Sequence, residues 1–556
     1  MPSDNPIQKV FILGLDAASY PLVDEWMRDG CLPNLAKVRR EGAFGLLRSL
    51  PVANSAAAWT SIITGVNPGK HGIPDFYVPK TDSYDIRFLC GGDRRAPTYW
   101  QLLPQLRHIV VNVPMTYPAD ALNGLMISGL DAPGMDSKGF CFPPDLMQEI
   151  NEEVGHYILH PGIFGHFLAG EVDRGVQSLT EAMERRLATV LHLMRKHEWD
   201  CFQVVFSTLD LAQHCFWKYF DPTHPNHDPS EARRYGDVIP NLYRRMDAVV
   251  GTIMEELPND CLLMVISDHG AGPKHSATHQ VMDWLESKGW LSYRGAKAGG
   301  VRRGFLRKAY SVIEQRVSRR GKDRLLKLLP GIRNRVRSRM AYASIDWART
   351  RVYADNVAPS LRINLKGREP QGIVEPGEEY ERLLTEVSQS LLDLRNPSLT
   401  MEPLVSEVHR SDDLYHGEST ALAPDLLFRW NDHITVKAIS DDLPPPNPPT
   451  GELALISGDH HPDGIIGLWG PNIVPACDLS ACLYDVLPAL LAILGIASPP
   501  GLDGHVLSEC FHRPLAAGGK AGGTTSPETP PQPADVLTAD DSDILRERLR
   551  GLGYVE

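Results

Sequence analysis

Three apolar runs in this chain of 556 residues each lead into an aspartate. VFILGL (10–15) meets Asp16, VVFSTL (204–209) meets Asp210, and LLMVIS (262–267) meets Asp268. Short apolar runs without polar alternation read as strands buried on both faces, the pattern of a parallel sheet covered by helices. HIVVNV (108–113) and IIGLWG (465–470) have the same character, while 179–196 and 483–494 read as helices packed between the strands. The expected fold is α/β, a mostly parallel central sheet with helices on both faces and an inserted cap region. In such a sheet the carboxyl ends of the strands form the ligand crevice. A carboxylate there borders a dry core and is costly unless a cation neutralises it.

Histidines accompany these aspartates. His269 follows Asp268 directly, and His214 follows Asp210 four positions later, one turn along the same face of a helix. The segment DHHPDG (459–464) adds His460 and His461 just before an apolar strand. Carboxylate and neutral imidazole suit zinc or manganese, and the absence of thiolates from the pattern argues against a closed structural zinc site. Ser55 lies in PVANSAAAWTSIITG, immediately before a helix-compatible run from Ala56 to Thr64. Such a serine is an ordinary N-cap. The same position would also place a hydroxyl nucleophile where a helix N-terminus attracts an anion.

The formal charge of −13 argues against bulk nucleic acid as a partner, yet it conceals an asymmetry. From Arg302 to Arg339 fourteen Lys/Arg face only Glu314 and Asp323. That segment reads as a solvated helical insertion, a lid over an anionic substrate, or a patch touching an anionic membrane surface. Nine cysteines, an odd number without a CxxC pair, fit a reducing compartment. The N-terminus shows no secretory pattern, and the longest apolar stretch, 486–497, contains Pro488 and falls short of the roughly 20 residues of a membrane span. A cytoplasmic protein without a transmembrane segment is expected. The expected organisation is a catalytic core in two parts, 1–275 and 351–512, the second carrying specificity elements, around a basic helical cap, 276–350. A flexible Gly/Pro-rich linker, 513–540, then leads to a C-terminal helix, 541–556, with Leu545, Leu549 and Leu552 on one face.

Taken in order, GLDA (14–17), SAAAWTSIITGVNPGKHGIPDF (55–76), STLDLAQH (207–214), SDHGAGP (267–273), INLKGREPQGIVEPGEEYERL (363–383), LYHGESTALAPDLLF (414–428) and HHPDG (460–464) resemble the alkaline phosphatase superfamily. Within it they are similar to the type I phosphodiesterase/nucleotide pyrophosphatase branch and its AlkP-type phosphohydrolase/phosphomutase relatives. The resemblance implies two divalent ions, zinc in the first place and manganese as the alternative. One would be held by Asp16, Asp268 and His269 with Ser55 beside it, the other by Asp210, His214 and His460. His460 is preferred to His461 because the family's late histidine stands two residues before the proline. The implied activity is cleavage of phosphodiester or phosphoanhydride bonds in a small phosphate ester through a phosphoseryl intermediate on Ser55. The alternatives are a phosphomonoesterase or phosphomutase acting on an anionic metabolite, and a non-catalytic docking protein on the same fold. Asn54, Lys70 and His71 are the expected phosphate-facing groups. The text after the HG motif, HGIPDF, lacks the family's phosphoryl-contacting asparagine and offers Phe76 instead, so nucleotide specificity does not transfer. Ser55-Ala-Ala-Ala-Trp59 also lacks the Cys/Ser-x-Pro-x-Arg text of sulfatases.

Overall fold

The computed structural model describes residues 7–294, 342, 344–354, 359–395, 402–432, 434, 436–440, 442–443, 455–513 and 537–551. The basic segment 302–339 and most of the expected linker lie outside the described residues. In chain order the strands are β1 (Lys9–Leu15), β2 (Ala43–Arg48), β3 (Tyr77–Pro79), β4 (Ile86–Phe88), β5 (His108–Val113), β6 (Gly124–Ser128), β7 (Cys141–Phe142), β8 (Cys201–Phe206), β9 (Cys261–Ile266), β10 (Gly270–Pro273), β11 (Val352–Ala354), β12 (Ser360–Ile363), β13 (Val405–Arg410), β14 (Leu426–Trp430), β15 (Gly458–His461), β16 (Asp463–Trp469) and β17 (Cys477–Cys482).

Nine of them form the central sheet in the order β17-β2-β16-β9-β1-β8-β5-β6-β7. The pairs around β1 are parallel, and so is β17 with β2, whereas β16 runs antiparallel to both β2 and β9. The sheet is therefore mostly parallel, as its apolar runs require. Along β1 the side chains alternate between two cores. Phe11, Leu13 and Leu15 join one, and Val10 and Ile12 the other. The first core is covered by helices such as Val172–Lys196 and Val238–Glu256, the second by the helices Ser55–Thr64 and Val486–Ile493. Each fully buried Leu, Ile or Phe contributes about 1.5–3 kcal/mol, so the sheet is the stable platform of the molecule.

The end of the sheet where β1, β8 and β9 terminate receives every candidate metal ligand. The antiparallel β16 starts at that end, so β15, just before it, also arrives there. One strand ends earlier than the sequence predicts. FQVVFS (202–207) was expected to be the strand; β8 stops at Phe206 and the helix Thr208–Phe220 begins, which puts Asp210 in a first helical turn. Ser207 and Thr208 favour such a helix start over continuing a strand.

The cap is also larger than expected. A third core runs from Ala277 through Trp347 and Phe428 to Ile439, on an antiparallel sheet β11-β12-β14-β13 and the helix Glu378–Leu392. Residues 351–439, expected in the catalytic core, thus build their own sheet, and the central sheet resumes only at β16. The C-terminal helix, Ala539–Gly551, docks on the first core through Leu545 and Leu549, and Arg548 donates to the carbonyl of Pro133 at 2.7 Å.

Gly45 pairs with Leu479 of β17, and a Cβ at this position would stand 1.6 Å from the Leu479 carbonyl oxygen. Gly45→Ala should shift the urea unfolding midpoint by the equivalent of about 1–3 kcal/mol. An unchanged midpoint would contradict this close approach of β2 and β17.

Candidate active site

Asp16 follows the last residue of β1, and the turn after it places Ala17 at φ 60°, a left-handed conformation rare outside glycine. Gly14 makes room for Trp59, since a Cβ there would lie 2.5 Å from the indole ring. The indole Nε1–H reaches Asp16 Oδ2 at 3.3 Å. Asp268 and His269 follow β9. The ladder of β10 with β15 pairs Ala271 with His460, which lays His460 beside His269 with ring centroids 4.2 Å apart. Asp210 and His214 come from one face of their helix, as the i,i+4 spacing predicts, with His214 Nε2 3.1 Å from Asp210 Oδ1.

Ser55 is the first residue of its helix and not the cap. Asn54 caps it, its Oδ1 accepting the Ala57 N–H at 2.9 Å while its Nδ2 donates to the Pro74 carbonyl. With the capping duty taken by Asn54, the Ser55 hydroxyl turns inward, 3.2 Å from His269 Nε2, and is 1 % exposed.

The three imidazoles share one arrangement. His214 Nδ1 lies 3.0 Å from the Gly458 carbonyl, His269 Nδ1 2.9 Å from the Gly270 carbonyl and His460 Nδ1 2.9 Å from the Ala53 carbonyl. A carbonyl only accepts, so each Nδ1 carries a proton and each Nε2 of the neutral ring presents a lone pair. These lone pairs face other acceptors. His460 Nε2 is 3.1 Å from His214 Nε2 and 3.6 Å from Asp210 Oδ1, and His269 Nε2 is 3.3 Å from Asp268 Oδ2 and 3.8 Å from Asp16 Oδ1. Asp16 Oδ1 and Asp268 Oδ2 are buried without a hydrogen-bond partner.

The protonation energetics express the same conflict. Burial and the charges of Asp268 and Asp210 hold Asp16 well above the usual carboxylate range, and burial with the Asp210 charge pushes Asp268 up to about 7. Burial opposes ionisation of both Asp210 and His214, but their mutual attraction holds the carboxyl below and the imidazole above its ordinary value. Burial, reinforced by His269 and His214, pulls His460 down to about 4, which keeps that ring neutral. A buried set of acceptors with so few donors is stabilised by cations placed among them. The residues fit that role. Donor atoms of Asp16, Asp268 and His269, and likewise of Asp210, His269 and His460, lie within 4.8 Å of one another. His269 belongs to both groups.

The other expected site residues stand elsewhere. Lys70 forms an ion pair with Asp503 and donates to the Gly501 carbonyl at 3.0 Å. His71 is fully buried, with Nε2 3.0 Å from Ser61 Oγ and Nδ1 accepting the Ile73 N–H. Burial and then the Arg94 charge lower its pKa to about 3. The polar atoms of Lys70 and His71 thus have protein partners at hand. His461 turns toward the cap, its Nε2 3.3 Å from Asp432 Oδ2. Two contributors escaped the sequence reading. Trp59 orients Asp16, and half-buried Asp459 accepts the His460 N–H at 2.9 Å. Asp459 stands in the quoted DHHPDG text, which was its only signal.

Residues 10–428 match the model of the family described as type I phosphodiesterase / nucleotide pyrophosphatase. Among solved structures, phosphonoacetate hydrolase from Sinorhizobium meliloti 1021 in complex with phosphonoformate is 13% identical with a TM-score of 0.49, covering 87% of this chain and 94% of that one. Human ectonucleotide pyrophosphatase / phosphodiesterase 5 is 11% identical with a TM-score of 0.47, covering 91% and 100%. The murine form is 10% identical with a TM-score of 0.47, covering 90% and 98%. No curated protein matches the chain.

Stripping divalent ions with a chelator should lower the melting temperature. Zinc or manganese at a thousand times Kd should then restore about 4 kcal/mol of stability. A melting temperature indifferent to both treatments would contradict a cation-binding centre.

Proposed function

This chain belongs to the type I phosphodiesterase / nucleotide pyrophosphatase family, and from that premise we propose that it cleaves phosphodiester or phosphoanhydride bonds through a phosphoseryl intermediate on Ser55. The observation that carries the reading is the convergence of three Nε2 lone pairs and three carboxylates around one buried serine hydroxyl. Asp16, Asp268 and His269 would hold one divalent ion and Asp210, His214 and His460 a second, with zinc expected before manganese. Such ions supply Lewis-acid stabilisation of charge on the phosphoryl oxygens.

The chain's own residues supply position and exclusion of water. Asn54 fixes the start of the Ser55 helix, so the hydroxyl meets the substrate at a helix N-terminus whose dipole favours the phosphoryl anion. Trp59, packed on Gly14, holds Asp16 and closes the core side of the centre. In the first step Ser55 gives up its proton, its Oγ bonds to phosphorus and the bond to the leaving oxygen breaks. Water then cleaves the phosphoseryl ester and restores the hydroxyl. Two displacements retain configuration at phosphorus.

No helix among the described residues is long and apolar enough to cross a membrane. All nine cysteines are free thiols, which supports a reducing, cytoplasmic setting for the reaction.

Ser55→Ala should lower kcat/KM for bis-p-nitrophenyl phosphate by about 10³-fold or more while the protein keeps its bound metal. Full activity of that variant would show that Ser55 is not the nucleophile.

A further inference from the structure

The loop that delivers Ser55 also borders a cleft of about 830 Å³, open to solvent, between the core and the cap. Asn54 lines it on the core side, and Tyr84, Tyr353, Arg362 and Tyr415 line the remainder. One wall is a pinned aromatic stack. Tyr84 lies flat on Trp347 with centroids 3.4 Å apart, and Tyr353 meets both rings edge-on at 5.9 and 5.2 Å. The Tyr84 hydroxyl is anchored by donating to Asn364 Oδ1 at 2.7 Å.

Arg362 stands directly across from Tyr353 in the β11–β12 ladder. Its guanidinium donates to the Leu422 carbonyl and forms no ion pair among the described residues. Asp425, the carboxylate of the adjoining network, is fully engaged. It accepts both Nη1 and Nη2 of Arg368 at 2.6 Å, the Tyr380 hydroxyl at 2.7 Å and the Ile363 N–H at 2.6 Å. The carboxylate that lines the cleft, Asp75, sits on the core side and accepts the Phe76 N–H. Arg362 thus brings a cation with unused donors to an aromatic wall. The hydroxyls of Tyr353 and Tyr415, which make no hydrogen bond among the described residues, border the same space.

We propose that this cleft selects phosphate esters whose organic group is an aromatic ring bearing its own anion, such as a carboxylate, away from the scissile phosphorus. The ring would lie along the Tyr84–Tyr353 wall and the anion on Arg362. A charged donor facing a carboxylate gives a stronger contact than a neutral hydrogen bond, and guanidinium geometry matches a planar carboxylate. This substrate class rests on the reading of Ser55 as nucleophile, because the cleft derives its role from the loop it shares with that residue.

The test compares kcat/KM of the full chain with bound metal for 4-nitrophenyl phenyl phosphate and for its 4-carboxyphenyl and 4-trimethylammoniophenyl counterparts. Wild type should prefer the carboxyphenyl over the phenyl ester by about tenfold, the effect of one charge-assisted contact. Arg362→Met should bring that ratio to about one, and Arg362→Lys should keep part of it. A ratio unmoved by Arg362→Met, or a wild-type preference for the ammonio ester, would overturn the proposal. Calorimetry of 4-carboxyphenylphosphonate against phenylphosphonate on Ser55→Ala separates the two readings. If wild type hydrolyses none of the esters, the nucleophile assignment fails. Tighter binding of the carboxylated phosphonate, lost in Ser55→Ala/Arg362→Met, still supports the cleft, and equal Kd values overturn it.

Discussion

Three imidazoles whose Nδ1–H groups donate to backbone carbonyls set the terms for the whole centre. With Nδ1 committed to the carbonyls of Gly458, Gly270 and Ala53, His214, His269 and His460 turn their Nε2 atoms to the space they share with Asp16, Asp210 and Asp268. Apart from the Trp59 indole, the Ser55 hydroxyl and the Ala17 N–H, the groups that meet there are carboxylates and imidazole Nε2 atoms. Buried acceptors at 3.1–3.8 Å repel, and positive charge is what resolves the repulsion.

The fold exists in a form that can bear this cost. The ligands come from the ends of β1 and β9, from the first turn of the helix after β8, and from β15 ahead of the reversed strand β16. Two apolar cores clamp those strands on both faces, so the ends cannot drift apart when the centre is unfavourable. The reversal of β16 is essential. It lets a segment more than 190 positions beyond His269 arrive at the same end of the sheet, where the β10–β15 ladder fixes His460 opposite Ala271. The residues around the β11-β12-β14-β13 sheet rest on a core of their own, separate from the two that flank the central sheet.

Much of this was legible in the chain. Runs buried on both faces announce themselves by unbroken apolarity, so β1, β5, β8, β9 and β16 could be read directly. β17 could not, because CDLSAC alternates polar and apolar residues as an edge strand does. The aspartates were visible at the ends of apolar runs, and the pairing of Asp210 with His214 followed from helical spacing. Other features depend on contacts distant in sequence. Asn54 and Ser55 are both good caps, and only the Pro74 carbonyl and the Ala57 N–H decide that Asn54 takes the role. The partners of Lys70 and His71, which are Asp503 for the first and Ser61 and Ile73 for the second, could not be read from the motif either. The cap boundary was placed at 350 because a basic helical segment is conspicuous, whereas the short strands that extend the cap core to Ile439 carry little signal of their own.

Anomalous diffraction from crystals of the zinc-reconstituted protein tests the central claim most directly. The account predicts two peaks about 4 Å apart, one among Asp16, Asp268 and His269 and one among Asp210, His214 and His460, with every Nδ1 still on its carbonyl. A centre without ordered metal, its rings turned so that Nε2 donates to the aspartates, would contradict it.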